Sequence, residues 1–290
     1  MVVGPDSDVA SQVADTLRKW KIERTHSNAG ALRMIEAAPF DLVVTGENTS
    51  GAADLELLRK IRRVRPHVRL LILTSESTPA DVLASMREGA FSYFSTPYSR
   101  SSFAEMIRLA AAGTCWDDGI EVILATPVWI QLLARCDKGT ADRLLQFFHE
   151  MSELPEPEMD HVGTAFREIL LNAIEHGGHF DPAQFVEISY LRTRHAVMCR
   201  VKDPGEGFSF DEIKHAAISN PPEQPLQHQH YRDSKGLRPG GFGVLITSRL
   251  VDELIYSEQG NDVLLMKYLS VGGSHIDTQA GNVFVPDRRD

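Results

Sequence analysis

The sequence predicts an α/β protein built in two parts, and three observations predict it. Over residues 1–112, short apolar runs alternate with amphipathic helical patterns, strand then helix, which is the form a parallel, doubly wound sheet takes in sequence. Beyond them, strand-like runs surround one long helical stretch, and two late strands close a mixed sheet. The chain has 290 residues with 42% hydrophobic content and 24% charge, enough for about two buried cores.

Composition also narrows the function. A formal charge of −10 and a pI near 5.6 argue against nucleic acid or an anionic membrane as the main partner. Cys115, Cys136 and Cys199 are far apart, in no metal or redox spacing, and read as reduced thiols. The most apolar run, Val122 to Ala134, is interrupted by Pro127 and Gln131 and is too short to span a bilayer. There is no charged-then-apolar leader at the start, so a cytoplasmic protein is expected.

In the first part, Val2-Val3 is a short strand followed by a helix from about Val9 to Trp20. A weak strand near Ile22–Arg24 precedes a helix at Ala29–Ala38, and Asp41–Thr45 is a buried strand before a helix at Leu55–Val64. Arg69–Thr74 and Phe91–Ser95 are the last two strands, followed by helices at Pro79–Glu88 and Ser101–Ala112. The active crevice of such a sheet lies at the carboxyl ends of its strands.

This half resembles the receiver domain of response regulators. The likeness is carried by Asp41-Leu-Val-Val, Gly51 with Leu55–Arg62, Leu73-Thr74, Gly89-Ala90, Tyr93 and Pro97. The resemblance implies an acidic, Mg²⁺-holding pair after the first strand, but Gly4 and Pro5 stand there. Gly46 replaces the phosphoacceptor aspartate and Thr96 the lysine, and only the hydroxyl position, Thr74, is kept. Aspartyl phosphorylation needs a carboxylate nucleophile, a metal cage and a cation for the product. The expectation is therefore a degenerate receiver over 1–112 that serves for docking or dimerisation. Asp6, Asp8 and Glu47 lie close in sequence and offer at most a makeshift metal site.

A polar, Gly-containing linker is expected over 113–124, and a second domain over 125–270. Pro127–Arg135 alternates as a strand, and Thr140–Met151 is an amphipathic helix with Leu144, Leu145 and Phe148 on one face. His149 sits in a stretch like a phosphohistidine box, yet lies too close to Asn172 for a separate dimerising helical pair, and reads as a surface residue. The central helix begins near Met159. Val162, Phe166, Ile169, Leu170 and Ala173 form its apolar arc, Glu168, Asn172 and Glu175 form a polar stripe, and Gly177-Gly178 marks a stop. Strands Phe185–Leu191 and Val197–Val201 follow, then the turn Asp203-Pro-Gly-Glu-Gly207, a short helix Asp211–Ile218 and a polar loop over 219–239. Gly240–Leu250 is a helix opened by glycines, Glu253–Ser257 and Asp262–Leu269 are the last strands, and 271–290 is a tail.

Each motif alone is weak, since Asp-x-Gly-x-Gly is a common turn and a Gly pair often merely caps a helix. In this order they describe a nucleotide pocket. Gly205 and Gly207 let a flat ring approach, and Asp203 beside them can accept a hydrogen bond from an exocyclic amine. Gly240, Gly241 and Gly243 at a helix start leave backbone N–H groups for phosphate oxygens, and Lys235 and Arg238 lie within reach in the loop. Asn172 offers a carbonyl oxygen to Mg²⁺, and Glu168, one turn earlier, a general base. His228 and His230 have no third ligand nearby, and His176 suits a helix end as well as a ligand.

The arrangement resembles the GHKL ATP-binding superfamily. Glu168-x-x-x-Asn172 matches the N box, Asp203-x-Gly-x-Gly207 the first glycine box and Gly241-x-Gly243 the second. The Glu-x-x-x-Asn-Ala-x-Glu-His-Gly run and the Gly-Phe-Gly-Val-Leu-Ile stretch are most similar to anti-sigma-factor serine kinases of the RsbW type. That resemblance implies a Bergerat α/β sandwich, ATP and Mg²⁺, and transfer to a serine or threonine of a STAS-type anti-sigma-factor antagonist. A sigma factor as partner and a homodimer are further implications. The alternatives are a non-catalytic ATP-dependent regulator that sequesters a sigma factor or signalling partner, and a histidine-kinase remnant acting in trans.

Overall fold

A computed structural model of the protein describes residues 1–5, 7–113, 119–207, 224, 227, 243–269 and, for the backbone alone, 282–284. The chain divides into two compact units, Met1–Asp118 with Asp142–Glu153, and Gly119–Ala141 with Leu154–Asp290.

In the first unit, strands β1 (Val2–Val3), β2 (Arg24–Thr25), β3 (Leu42–Thr45), β4 (Arg69–Thr74) and β5 (Ser92–Ser95) form a five-stranded sheet in the order β2-β1-β3-β4-β5. Every pairing is parallel. The intervening helices are α1 (Ser7–Thr16), α2 (Asn28–Ala37), α3 (Gly51–Val64), α4 (Pro79–Arg87) and α5 (Arg100–Ala112). Four of them start where a hydroxyl accepts from an otherwise orphaned backbone N–H: Ser27, Ser50, Thr78 and Ser99. Ser50 explains why α3 starts at Gly51 rather than at Leu55. Its first turn carries no apolar period, so the cap and not the pattern sets the boundary. Val2, Val9, Val44, Leu71, Leu73, Phe94, Phe103 and Ile107 are among the buried residues that join the sheet to α1 and α5.

Helix α6 (Lys138–Met151) belongs to this unit from Asp142 onward. β5 is an edge strand, and polar side chains of α6 run along it. Arg143 Nε donates to the Phe91 carbonyl at 2.7 Å, Gln146 Nε2 donates to the Tyr93 carbonyl at 3.0 Å, and Glu150 Oε2 accepts from the Ser95 N–H at 3.1 Å. The edge groups of alternate β5 residues are thereby satisfied without another strand. Arg143 also lies over the Phe91 ring at 4.4 Å. His149, on the same helix, is exposed, as expected for a surface residue.

The second unit holds a seven-stranded sheet in the order β12-β10-β11-β9-β8-β7-β6. Its strands are β6 (Ile120–Ala125), β7 (Trp129–Arg135), β8 (Phe185–Arg192), β9 (Ala196–Lys202), β10 (Glu253–Tyr256), β11 (Asp262–Tyr268) and β12 (Asn282–Phe284). All pairings are antiparallel except β10 with β12, so the sheet is mixed. Helices α7 (Glu156–Asn172) and α8 (Gly243–Leu250) complete the described part, and α7 packs along both α8 and β11.

Three expectations are corrected here. Residues 120–124, read as linker, form most of β6, an edge strand with a bulge between Val122 and Leu124; its exposed positions are Glu121 and the apolar Ile123. Residues 282–284, read as tail, pair with β10. The strand read as starting at Pro127 starts at Trp129, because Thr126–Trp129 is a hairpin turn in which Thr126 and Trp129 exchange backbone hydrogen bonds around Pro127-Val128. The helix expected at Asp211–Ile218 and the loop over 219–239 lie outside the described residues.

Candidate functional site

In the second unit the site grows from α7. Pro157 in its first turn and Glu156 and Glu158 near its N-terminus suit a helix start. Val162, Phe166, Ile169, Leu170 and Ala173 are all buried, the arc expected from their spacing. Glu168, Asn172 and Glu175 are half-buried on the other side. After Asn172 the helix widens into a π turn, Ala173–Gly177, closed by the Gly178 N–H donating to the Ala173 carbonyl at 2.9 Å.

At one end of this segment Gly243, the first residue of α8, lies against Glu168 and Asn172. A Cβ there would stand 2.9 Å from Glu168 Oε2 and 3.5 Å from Asn172 Nδ2. Glu168 and Asn172 thus share one corner with Gly243, far from them in sequence, where a helix N-terminus faces a carboxylate and an amide. Arg167 Nη1 lies 3.6 Å from Glu168 Oε1 at the surface.

At the other end Gly177 presses on Asp203, which leaves β9. A Cβ on Gly177 would sit 2.2 Å from Asp203 Cγ, so no larger residue fits without moving the carboxylate. The helical segment ends at Gly177 with Gly178 as its cap, as the Gly pair implied, and the fold adds what each glycine meets. The residues with left-handed backbone are His179 and Phe180, both with φ of 53°, while Gly177 is required by close approach to Asp203 and Gly178 by close approach to Cys136. The signal was present as an adjacent Gly pair, but only the fold says what each one meets.

Asp203 Oδ1 accepts from the Gly205 N–H at 2.8 Å, which turns the backbone back on itself. Gly207 follows with φ of 80°, and a Cβ there would lie 1.8 Å from the Gln259 carbonyl oxygen. The half-buried Asp203 carboxyl is raised above its ordinary pKa of 3.8, chiefly by burial. The Gly205 N–H opposes the shift, the Asp262 charge adds to it and His176 opposes it weakly. Below the site, burial pushes the Cys136 thiol up to about 11, so it is held protonated and unreactive. Asn261, which sequence reasoning passed over, also belongs to this wall: its Nδ2 donates to the Gly205 carbonyl at 3.1 Å.

The structure thus brings together Glu168, Asn172 and Gly243, and separately Asp203, Gly205 and Gly207, with α7 and its π turn linking the two groups. Lys235, Arg238, Gly240 and Gly241 lie outside the described residues, as do His228 and His230. For a nucleotide the fit is good: a narrow glycine wall beside an acceptor carboxylate at one end, and a helix N-terminus at the other. Asn172 would supply one side-chain oxygen to a magnesium ion bound with the nucleotide. Among the described residues no cluster of three or more His, Cys, Asp and Glu could hold a metal ion by itself.

The receiver-like crevice differs. Gly4, with φ of 124°, follows β1, and a Cβ on it would come within 3.5 Å of Gly46 Cα, so backbone abuts backbone where a phosphorylation site needs carboxylates. Thr74 is buried and its hydroxyl donates to the Glu76 carbonyl at 2.9 Å. Asp8 is exposed and Glu47 half-buried, while Asp6 lies outside the described residues. Among the described residues, no helix is long and apolar enough to cross a membrane.

Comparison with known proteins agrees with this division. Residues 135–267 match the histidine kinase-like ATPase domain and residues 1–108 the response regulator receiver domain. The chain is 23% identical over 155 residues to serine-protein kinase RsbW of Oceanobacillus iheyensis, covering 53% of this chain and 88% of that one. It is 30% identical over 117 residues to the anti-sigma F factor of Anoxybacillus flavithermus, covering 39% of this chain and 71% of that one. Among solved structures it is similar to a response regulator receiver domain protein from Clostridium thermocellum. That match has a TM-score of 0.33 at 23% identity, over 38% of this chain and 90% of that one. With its glycine wall, its Glu-x-x-x-Asn helix and these relatives, the chain belongs to the histidine kinase-like ATPase family, on the branch of RsbW and the anti-sigma F factor, and carries a response regulator receiver domain at its N-terminal end.

Proposed function

We propose that the protein is an ATP-dependent serine/threonine protein kinase of the partner-switching kind, and that its substrate is a hydroxyl on a STAS-type anti-sigma-factor antagonist. The observation that carries this reading is Glu168 beside Gly243 and Asn172. A carboxylate at the phosphate end of the pocket is what chemistry on the γ-phosphate needs and a simple nucleotide-binding module does not.

Asp203 accepts a hydrogen bond from the adenine amine while the glycine turn admits the ring. The N-terminus of α8 meets the phosphates with backbone N–H groups and the positive end of its dipole. Bound through Asn172, Mg²⁺ supplies charge neutralisation on the phosphates. Glu168 takes the proton of the incoming hydroxyl, whose oxygen bonds to the γ-phosphorus as its bond to the β–γ bridging oxygen breaks and ADP leaves. The receiver-like unit serves as a docking or dimerisation surface without phosphate chemistry, consistent with the abutting Gly4 and Gly46.

The test is transfer from γ-labelled ATP to STAS proteins, with Glu168→Gln alongside. The expected result is a loss of about 10²- to 10⁴-fold in labelling rate with nucleotide affinity kept within about twofold. Equal labelling by the variant would remove Glu168 from the mechanism. Nucleotide-dependent capture of a partner with no labelling of any candidate would favour the sequestering regulator instead.

A further inference from the structure

Asn261 directly precedes strand β11, across from Asp203, which directly follows β9, and it ties the nucleotide-facing turn down from behind. Its backbone carbonyl accepts the Asp203 N–H at 2.9 Å, and its side-chain Nδ2 donates to the Gly205 carbonyl at 3.1 Å. Gly205 in turn donates its N–H to Asp203 Oδ1 at 2.8 Å. One residue thus grips both ends of the Asp203–Gly205 loop, and the loop grips the carboxylate. The residue is 9% exposed, so water competes little for these bonds.

The support behind Asn261 is rigid. It follows a tight hairpin turn in which the Ser257 N–H donates to the Asp262 carbonyl at 2.8 Å and the Gly260 N–H to the Ser257 carbonyl at 2.9 Å. Gly260 has φ of 81°, and Gly207 rests against the same turn through Gln259. On the far side, Asp262 is held by Arg200 at 2.9 Å. A primary amide suits the position. It donates to a carbonyl without adding a charge, whereas an aspartate would set a third carboxylate beside Asp203 and Asp262 and turn the donor into an acceptor.

Resting on the nucleotide-binding reading above, we infer that Asn261 is a positioning residue that sets base selectivity by fixing the Gly205 turn and, through it, the Asp203 carboxylate. Its side-chain amide and its carbonyl are both engaged by the turn itself. Its effect therefore falls on base discrimination, which a merely structural role would leave alone.

The experiment measures MgATP and MgGTP binding by calorimetry on the full chain, wild type against Asn261→Ala and Asn261→Asp, with melting curves taken without nucleotide. For Asn261→Ala the expected result is an ATP dissociation constant raised about tenfold and GTP binding unchanged within about twofold, so that selectivity collapses by the worth of about one hydrogen bond. Asn261→Asp should lose more. A wild-type protein that binds ATP, beside a folded Asn261→Ala with the same ATP-to-GTP ratio, overturns this inference and leaves the nucleotide site standing. A wild-type protein that binds no MgATP overturns both. If the variants do not fold, the wild type still decides through the NMR signals of the Asn261 side-chain amide. One proton protected from exchange and shifted by MgATP is expected, and an unprotected pair that ATP does not move overturns the inference.

Discussion

Two carboxylates, one in each unit, have been pushed in the same direction by the same cause, and only one of them stands at a candidate binding site. Asp54, at the start of α3, is fully buried and Asp203 is half-buried, and burial is the leading reason that both are raised above the ordinary value. Asp54 Oδ1 accepts from Asn28 Nδ2 at 2.9 Å and Oδ2 from Thr49 Oγ1 at 2.6 Å, so its own domain takes both oxygens. Asp203 accepts from Gly205 through Oδ1, the oxygen that lies against Gly177 and Gly205, and among the described residues no other one donates to the carboxylate, so acceptor capacity is left over. A perturbed carboxyl group is therefore a weak marker of function. A perturbed carboxyl with an unused lone pair beside backbone that lacks Cβ atoms is a stronger one.

The sharpest way to break the comparison is to remove the gap and keep the carboxylate. In Gly177→Ala the new methyl would lie 2.2 Å from Asp203 Cγ. MgATP affinity should fall by at least about a hundredfold, and urea denaturation should show a loss of about 1–3 kcal/mol from overpacking. Unchanged binding would mean that the Gly177–Asp203 contact is not part of the nucleotide wall.

A smaller effect is expected from removing the acceptor alone. Asp203→Ala should weaken MgATP by about 10- to 100-fold, the range of a hydrogen bond to a charged group. Stability should change little, because the half-buried carboxylate is itself penalised by burial. Calorimetry checks the first statement and a melting curve the second. Equal affinity in the variant would leave the adenine end unassigned.

The smallest effect belongs to Asp54. Its pKa is higher folded than unfolded, so between 3.8 and the raised value the folded state binds more protons than the unfolded chain. Its contribution to stability therefore falls as pH rises through that window and recovers as pH falls. Asp54→Asn removes this component. Relative to the variant, the wild type should gain in urea midpoint on going from pH 7 to pH 4, with no change in nucleotide binding. A difference that stays flat with pH would show that the bonds from Thr49 and Asn28 offset the burial.

Much of this molecule was legible in its residues. β4 falls on Arg69–Thr74 as read, and the buried arc of α7 is the one its period implied, because a regular element that buries one face must repeat its apolar residues. At Gly4, Gly46 and Thr96 the residues that the receiver resemblance implies are missing, and a missing carboxylate needs no structure to be noticed. Less legible was β6. Its burial alternates, but Ile123 on the exposed face is apolar, so the residue types of this edge strand do not show the period. Arg143, Gln146 and Glu150 read only as the polar side of an amphipathic helix, and nothing in their spacing says that they finish the open edge of β5.

Local sequence determined the order of strands and helices, which faces are apolar, and the inventory of groups able to meet a nucleotide. Those properties depend on spacing along the chain, over a few residues at a time. Tertiary structure decided which glycines are required and by what. Gly177 must be bare because of Asp203, and Gly243 lies within reach of Glu168. It also recruited Asn261, an unremarked residue between two strands, to hold the turn. Contacts between distant segments arise from packing in three dimensions, and no periodicity in the chain encodes them.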